Sequence, residues 1–370
     1  MEQTKAPTRD YPSYSDTPWT LWDTLYARRS HRKYMPGSID PDLMGRLEDV
    51  RRLAVTARGA GEGSLVLVTD AQRVQGIKRR AHKGMQGKIN LWLDRAPLAG
   101  FLALALPRED VRSGRPRRLP PAAAAAEDLV LWLTEAGLGT CWLGGLNQGE
   151  VKEVLGLGRD TFVSALICFG RPKPQAKARD VDYLMYRRIS RKRKLLSDIA
   201  YLENMDNPYR LPRLEIGPFS ASTVQDVAGL LRQLQERRES DRRAPLALAL
   251  EACCEAARIA PSAGNTQAWR FVAVTGEDAL RELAGACGAG GKWRLAVAGL
   301  GSPDQGFLYE RMEKPFWMID LPIAFSQMSL LAASMDLAVD LRLAGFDEEA
   351  VNAAVGARPP LRTVGVMGIR

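Results

Sequence analysis

The sequence predicts a mixed α+β protein in which one succession of helices and strands is laid down twice. The chain has 370 residues, beyond the roughly 250–300 at which single cores stop growing. Its hydrophobic fraction of 46% and charged fraction of 26% are those of an ordinary soluble globular protein. Residues 52–68, RLAVTARGAGEGSLVLV, recur 206 positions later as RIAPSAGNTQAWRFVAV, 258–274, without a gap and with five identities. A second window, 134–151, aligns with 334–351 at an offset of 200 and carries Leu143, Gly145 and Val151 onto Leu343, Gly345 and Val351. Two windows in the same order, inside the same succession of elements, predict an internal duplication.

The elements follow in order. The first dozen residues read as a flexible arm, and LWDTLYAR as a helix. A longer helix starts with Asp40 as N-cap and Pro41 at its first position, with Leu43, Leu47, Val50, Leu53 and Ala54 on one face. SLVLVTD is a strand followed by a short helix, PLAGFLALAL a second strand, 122–138 a long apolar helix, and TFVSALICFG a buried strand. Residues 171–235, rich in Pro and charge, read as tail and connector. The second half repeats the order: a helix over 223–237, a helix in PLALALEACCEAARIA, strands in WRFVAVTG and WRLAVAGL, a long helix in AFSQMSLLAASMDLAVDLRL, and a final strand RTVGVMGIR. The expected division is an N-terminal domain with a basic tail over 1–195, a connector over 196–222 and a C-terminal domain over 223–370.

No basic start precedes an apolar run, so no signal peptide is expected. PPAAAAAEDLVLWL comes nearest to a membrane span, but Glu127 and Asp128 interrupt it. The net charge of +9 suits nucleic acid or a small anionic cofactor. Much of the excess lies in YRRISRKRKLL, 186–196, which reads as a solvated helix face or linker and offers no aromatic platform for nucleic acid. Five cysteines lack metal-type spacing, Cys253 and Cys254 reading as packing thiols. A reducing cytoplasm is the simplest compartment. With His31 and His82 the only histidines, neither a His-rich metal site nor a Ser-His-Asp triad is expected.

Three strings carry chemistry. YARRSHRKYM places Arg28, Arg29, Ser30 and Arg32 together; forked guanidiniums beside a hydroxyl suit a phosphate or the electron-rich edge of a heterocycle, although a solvated helix end is the commoner use of such a string. EAGLGTCWLGGL ends a helix with Gly137 and Gly139, and Gly144 with Gly145 permits close backbone approach to a ligand; a glycine-rich cap with Trp142 in the core serves equally well. APSAGNTQAW offers Pro261 to fix the backbone, Ser262 and Asn265 to hydrogen-bond, and Trp269 to anchor a strand; its bland reading is a capped turn.

In this order the three strings resemble the nitroreductase family of flavoproteins, with Ala268 standing where that family usually has proline. The resemblance implies two tandem nitroreductase-like domains, each a mainly antiparallel sheet flanked by helices, forming an intramolecular pseudo-dimer. It further implies FMN at the interface: Arg28 on the phosphate with Lys177 or Arg179 as second cation, Arg29 in the same cluster, Ser30 and Arg32 at the pyrimidine edge, Gly144 and Gly145 facing N5, and Pro261, Ser262 and Asn265 lent by the other half. The family's second site is expected to be lost. Asp340 and Arg342 align with Thr140 and Trp142, Gly59 stands at the asparagine position, and the family's basic tail, present after 171, has no equivalent before Arg370. One FMN per chain is therefore expected.

The leading functional expectation is an FMN-dependent oxidoreductase that reduces a nitroaromatic, quinone or related acceptor with NAD(P)H by a ping-pong cycle, the flavin rather than a side chain carrying the chemistry. Two alternatives stand beside it: an FMN-holding protein with a lid in GACGAGGKWRLAVAGLGSPDQGFLYERMEKPFW, or a specialised flavin oxidase or dehydrogenase. A monomer is expected, with no nucleic-acid or membrane partner.

Overall fold

The computed structural model describes residues 20–84, 88–174, 193–209, 226–236, 245–290, 292–306 and 315–370. The first half opens with α1 (Leu21–Ala27), which Thr20 and Asp23 close in a capping box. Helix α2 (Pro41–Arg58) has Asp40 accepting from the Asp42 amide and Pro41 at its first turn, and ends on left-handed Gly59 at φ 65°. Then come β1 (Leu65–Val68), α3 (Ala71–Arg80), a 3₁₀ segment (Lys88–Arg95), β2 (Gly100–Pro107), α4 (Arg108–Arg112), α5 (Leu119–Glu135), β3 (Gly139–Leu143), α6 (Gln148–Leu155) and β4 (Thr161–Gly170). The second half follows with β5 (Ala200–Leu202), α7 (Val227–Glu236), α8 (Leu246–Ile259), β6 (Trp269–Val274), α9 (Glu277–Ala286), β7 (Leu295–Gly301), α10 (Trp317–Ser334), β8 (Val339–Arg342), α11 (Glu348–Ala354) and β9 (Arg362–Ile369).

The strands form two sheets with one plan. The first runs β1-β2-β4-β3 and is antiparallel throughout; the second runs β6-β7-β9-β8 in the same sense and adds β5 parallel to the β6 edge. Register tests the repeat residue by residue. Leu65 pairs with Leu104, and Phe271, 206 positions after Leu65, pairs with Gly299. The next ladder slips immediately after Leu104 in one sheet and after Gly299 in the other, leaving Ser164 and Val364 as the unpaired bulge residues.

Helices α5 and α10 are buried along their lengths and share one hydrophobic core with α2, α8 and both sheets. Both stop at a left-handed residue 199 positions apart, Gly137 at φ 75° and Asp336 at φ 57°, so Ser326 and Gln327 are the counterparts of Glu127 and Asp128. Gln327 Nε2 donates to Glu127 Oε1 at 2.8 Å, and Ser326 Oγ donates to Asp128 Oδ1 at 2.6 Å. Each residue thus meets the counterpart of its neighbour, the reciprocity of an isologous interface. Arg58 closes the seam with two 2.7 Å bonds to Asp128.

Three readings of the sequence are corrected. The first long helix is Leu119–Glu135 rather than 122–138. The second is Trp317–Ser334 rather than 324–343, because Asp336 turns left-handed and Val339–Arg342 pairs with β9. The offset is 199 through α10 and β8 and becomes 200 only at Asn147 and Asp347, which cap α6 and α11. One extra residue between strand and helix accounts for the change. Asp340, paired with Gly368, therefore occupies the place of Cys141, paired with Cys168, and not that of Thr140. No described helix is long and apolar enough to cross a membrane.

Candidate functional site

The arginine cluster lies along the glycine segment because a short strand-like pairing holds it there. Ser30 bridges Thr140 in parallel, and the His31 amide donates to the Thr140 carbonyl at 2.8 Å. Tyr34 Oη donates to the His31 carbonyl at 2.8 Å. Burial, followed by the charges of Arg28, Arg29 and Arg32, pulls His31 down to about 4. The imidazole stays neutral and the local field is strongly positive. Arg28 Nε is buried without a hydrogen-bond acceptor among the described residues.

The second wall is the turn after α8. Gly264, Asn265 and Gln267 take left-handed φ values of 56°, 50° and 49°, which Gly and Asn tolerate best. The turn is fastened from several sides. Ser262 Oγ accepts from the Gln267 amide at 3.0 Å, Gln267 Oε1 accepts from the Lys194 amide at 2.8 Å, and the Ala263 amide donates to Asp320 Oδ1 at 3.0 Å. Asp320, 3% exposed, has its carboxyl pushed up to about 8 by burial, against the pull of the Ala263 amide.

Arg193 joins the two walls. Its guanidinium donates to the carbonyls of Arg258, Ile259 and Ala260, the open C-terminus of α8 immediately before Pro261. Burial, then the nearby charges of Arg28 and Arg258, lowers it to about 9. The helix end before the C-terminal turn is thus capped by a half-buried cation that also feels the charge of Arg28. Expected as part of a solvated run, Arg193 is instead a half-buried helix cap; its neighbours 186–192 lie outside the described residues.

The glycine segment has close neighbours on both of its paired glycines. The Phe316 ring packs on Gly144, where a Cβ would stand 2.5 Å from the ring, and the Gly145 carbonyl accepts from Asn90 Nδ2. Behind it, Trp142 Nε1 donates to Glu127 at 3.0 Å. Burial pushes Glu127 up to about 7 against the opposing charge of Arg28. Thus Arg28, Arg29, Ser30, Arg32, Gly144 and Gly145 belong to the N-terminal half and Pro261, Ser262 and Asn265 to the C-terminal half, while Lys177 and Arg179 lie outside the described residues. Sequence reasoning missed Asn90, Arg193, Phe316 and Asp320. Only Asp320, an acid inside the apolar run FWMIDLPIAF, left a legible signal.

The nitroreductase family model matches residues 25–171 and 241–299, more than half of the chain. The chain belongs to the nitroreductase family. Among solved structures, this nitroreductase-family chain is similar over 97% of its length to 98% of a putative nitroreductase from Thermotoga maritima, at 14% identity and a TM-score of 0.43. A family protein from Clostridium novyi NT matches over 42% of this chain and 86% of its own, at 23% identity and a TM-score of 0.34. An FMN-dependent nitroreductase from Clostridium difficile R20291 matches over 44% and 94%, at 20% identity and a TM-score of 0.33. No curated protein matches the chain.

Proposed function

We propose that this chain is an FMN-dependent oxidoreductase in which one FMN is held jointly by the two halves of an internal pseudo-dimer, passing two electrons from NAD(P)H to a small acceptor such as a nitroaromatic or quinone. Arg193 carries the reading: one half-buried guanidinium caps the helix leading into the C-terminal turn and lies within electrostatic range of Arg28. Family membership supports the cofactor. The donor set fits it too, since the charges of Arg28, Arg29 and Arg32 add to burial in depressing His31 and Arg28 keeps a buried donor in reserve.

When bound, FMN supplies the ring that accepts hydride and passes electrons on. The protein's part is binding and electrostatics. Arg28 and Arg29 neutralise the phosphate, with Lys177 or Arg179 as second cation; Ser30 and Arg32 stabilise negative charge at the pyrimidine edge. Gly144 and Gly145 give backbone access to the reacting edge. Pro261, Ser262 and Asn265 close the site from the other half, positioned by Asp320 and Gln267. Loss of the second site is supported by Gly59 at the place of Asn265 and by Asp340, ion-paired with Arg342 at 2.9 Å, at the place of Cys141. We assign the protein one FMN per chain, a monomeric state and a cytoplasmic location.

One observation favours a second reading, a covered flavin with little turnover. Phe316 is the penultimate residue of the stretch read as a lid, and its ring covers Gly144. Anaerobic mixing with NADPH or NADH separates the two. Bleaching of a yellow protein supports the oxidoreductase, and a flavin reduced only by dithionite supports the covered form. A colourless protein that takes up no FMN overturns both, and two FMN per chain overturns the single-site reading.

A further inference from the structure

The counterpart of the Phe316–Gly144 contact, on the opposite half, is a cavity of about 290 Å³. Phe316 follows Pro315 before α10, and Arg117 follows Pro116 before α5. Where the first half receives a phenyl ring, the second receives a guanidinium, and the space stays open beside Leu343 and Phe346. Met318, Leu343 and Val364, each almost fully buried, give the cavity an apolar wall. Three guanidiniums, of Arg115, Arg117 and Arg362, share the lining with a single carboxylate, Glu348.

The cations are not equivalent. Arg362 is committed: it binds Glu348 through two bonds of 2.9 and 3.0 Å, donates to the Gly114 carbonyl at 2.9 Å, and lies over the Trp317 ring. Arg115 meets Glu348 at 3.2 Å and the exposed Glu349 at 3.4 Å. Arg117 is exposed; its amide donates to Asp110 Oδ1 at 2.9 Å, while its guanidinium forms no ion pair among the described residues. The cavity thus joins an apolar slot to a forked donor whose guanidinium is unpaired among the described residues, the chemistry that recognises a carboxylate in two bonds. Its volume is at the lower end for ligand sites, which suits a single ring rather than a nucleotide.

We infer that this cavity is a second small-molecule site, distinct from the flavin site, and that it binds a small aromatic carboxylate with the ring against Leu343, Phe346 and Val364 and the carboxylate on Arg117 and Arg115. The inference does not depend on the flavin reading.

The test is a ¹⁹F NMR titration of the full chain, as purified and again after treatment that strips any flavin, with 4-fluorobenzoate as probe and neutral 4-fluorobenzamide as control. Saturable binding of the benzoate is expected in both preparations. The amide should bind at least tenfold more weakly, and Arg117→Ala, at an exposed position, should weaken the benzoate at least tenfold. Arg28→Ala should leave its affinity unchanged. Absence of saturation, equal binding of the amide, or unaltered affinity in the Arg117 variant overturns the site. Loss of binding in the Arg28 variant overturns it as well, by assigning the signal to the first site.

Discussion

The two halves agree where they pack and differ where we place their sites. Strand order, ladder register, bulge position and the reciprocal pairs Glu127–Gln327 and Asp128–Ser326 match across the repeat. The edges do not. Phe316 seals Gly144 while Arg117 opens a basic cavity. Pro261, Ser262 and Asn265 form the first site's turn, whereas Val55, Thr56 and Gly59 stand 206 positions earlier. Each core position touches many neighbours and changes only at a cost in packing, but an edge residue answers to its ligand. A duplicated chain can therefore keep one architecture and carry two chemistries.

Breaking the seam should have the largest effect. Asp128 and Arg58 are both buried, with side chains 0% and 3% exposed. Asp128→Ala strands the Arg58 charge in a core common to both halves and should destabilise the protein by about 3–5 kcal/mol. Chemical unfolding should show both halves lost in one transition; separate transitions would mean that the seam does not couple them.

The next effect depends on pH. Burial pushes the Asp320 carboxyl from 3.8 to about 8, so the folded state holds the proton more tightly than the unfolded chain. The stability this contributes is fully present below the unfolded value and is lost as pH rises through the folded one. Asp320→Asn keeps an acceptor for the Ala263 amide and cannot ionise. Thermal unfolding at about pH 5 and pH 9 should show the variant gaining on the parent at the higher pH, by about 2–3 kcal/mol once relaxation is allowed for. The corresponding residue in the first turn of α5 is apolar Pro121, so this dependence belongs to one half only.

Arg28→Ala removes a charge-assisted contact to the proposed phosphate and should weaken FMN by about 1.5–3 kcal/mol, roughly ten- to a hundredfold. Fluorescence titration of the stripped protein measures it. Unchanged affinity would remove the N-terminal half from the site.

Periodicity and caps made the elements legible, since the Asp40–Pro41 start, the strand patterns and the repeat are local properties of the chain. Register was only partly legible. An alignment at low identity could not see that a single residue is gained between β8 and α11, and that residue decides whether Asp340 replaces Thr140 or Cys141. Motif residues were legible because glycines, prolines and clustered arginines mark unusual backbone or charge. Arg193 was not, because nothing in a run of basic residues says which one will meet three helix-end carbonyls. Phe316 was not either, since an aromatic beside a proline has the same appearance in a core, a lid or a site.

The finest test of the comparison is Asn265→Gly. Asn265 has φ 50° and its counterpart Gly59 has φ 65°, so glycine preserves the backbone of this turn, whereas alanine would strain it. The substitution removes only the amide side chain and gives the first site the residue of the second. FMN affinity should fall by about 0.5–1.5 kcal/mol, the worth of one neutral hydrogen bond, with the melting temperature of the flavin-free protein nearly unchanged. Full retention of FMN would mean that this turn serves the site through its backbone alone, and Gly59 would no longer count among the reasons that the second site is silent.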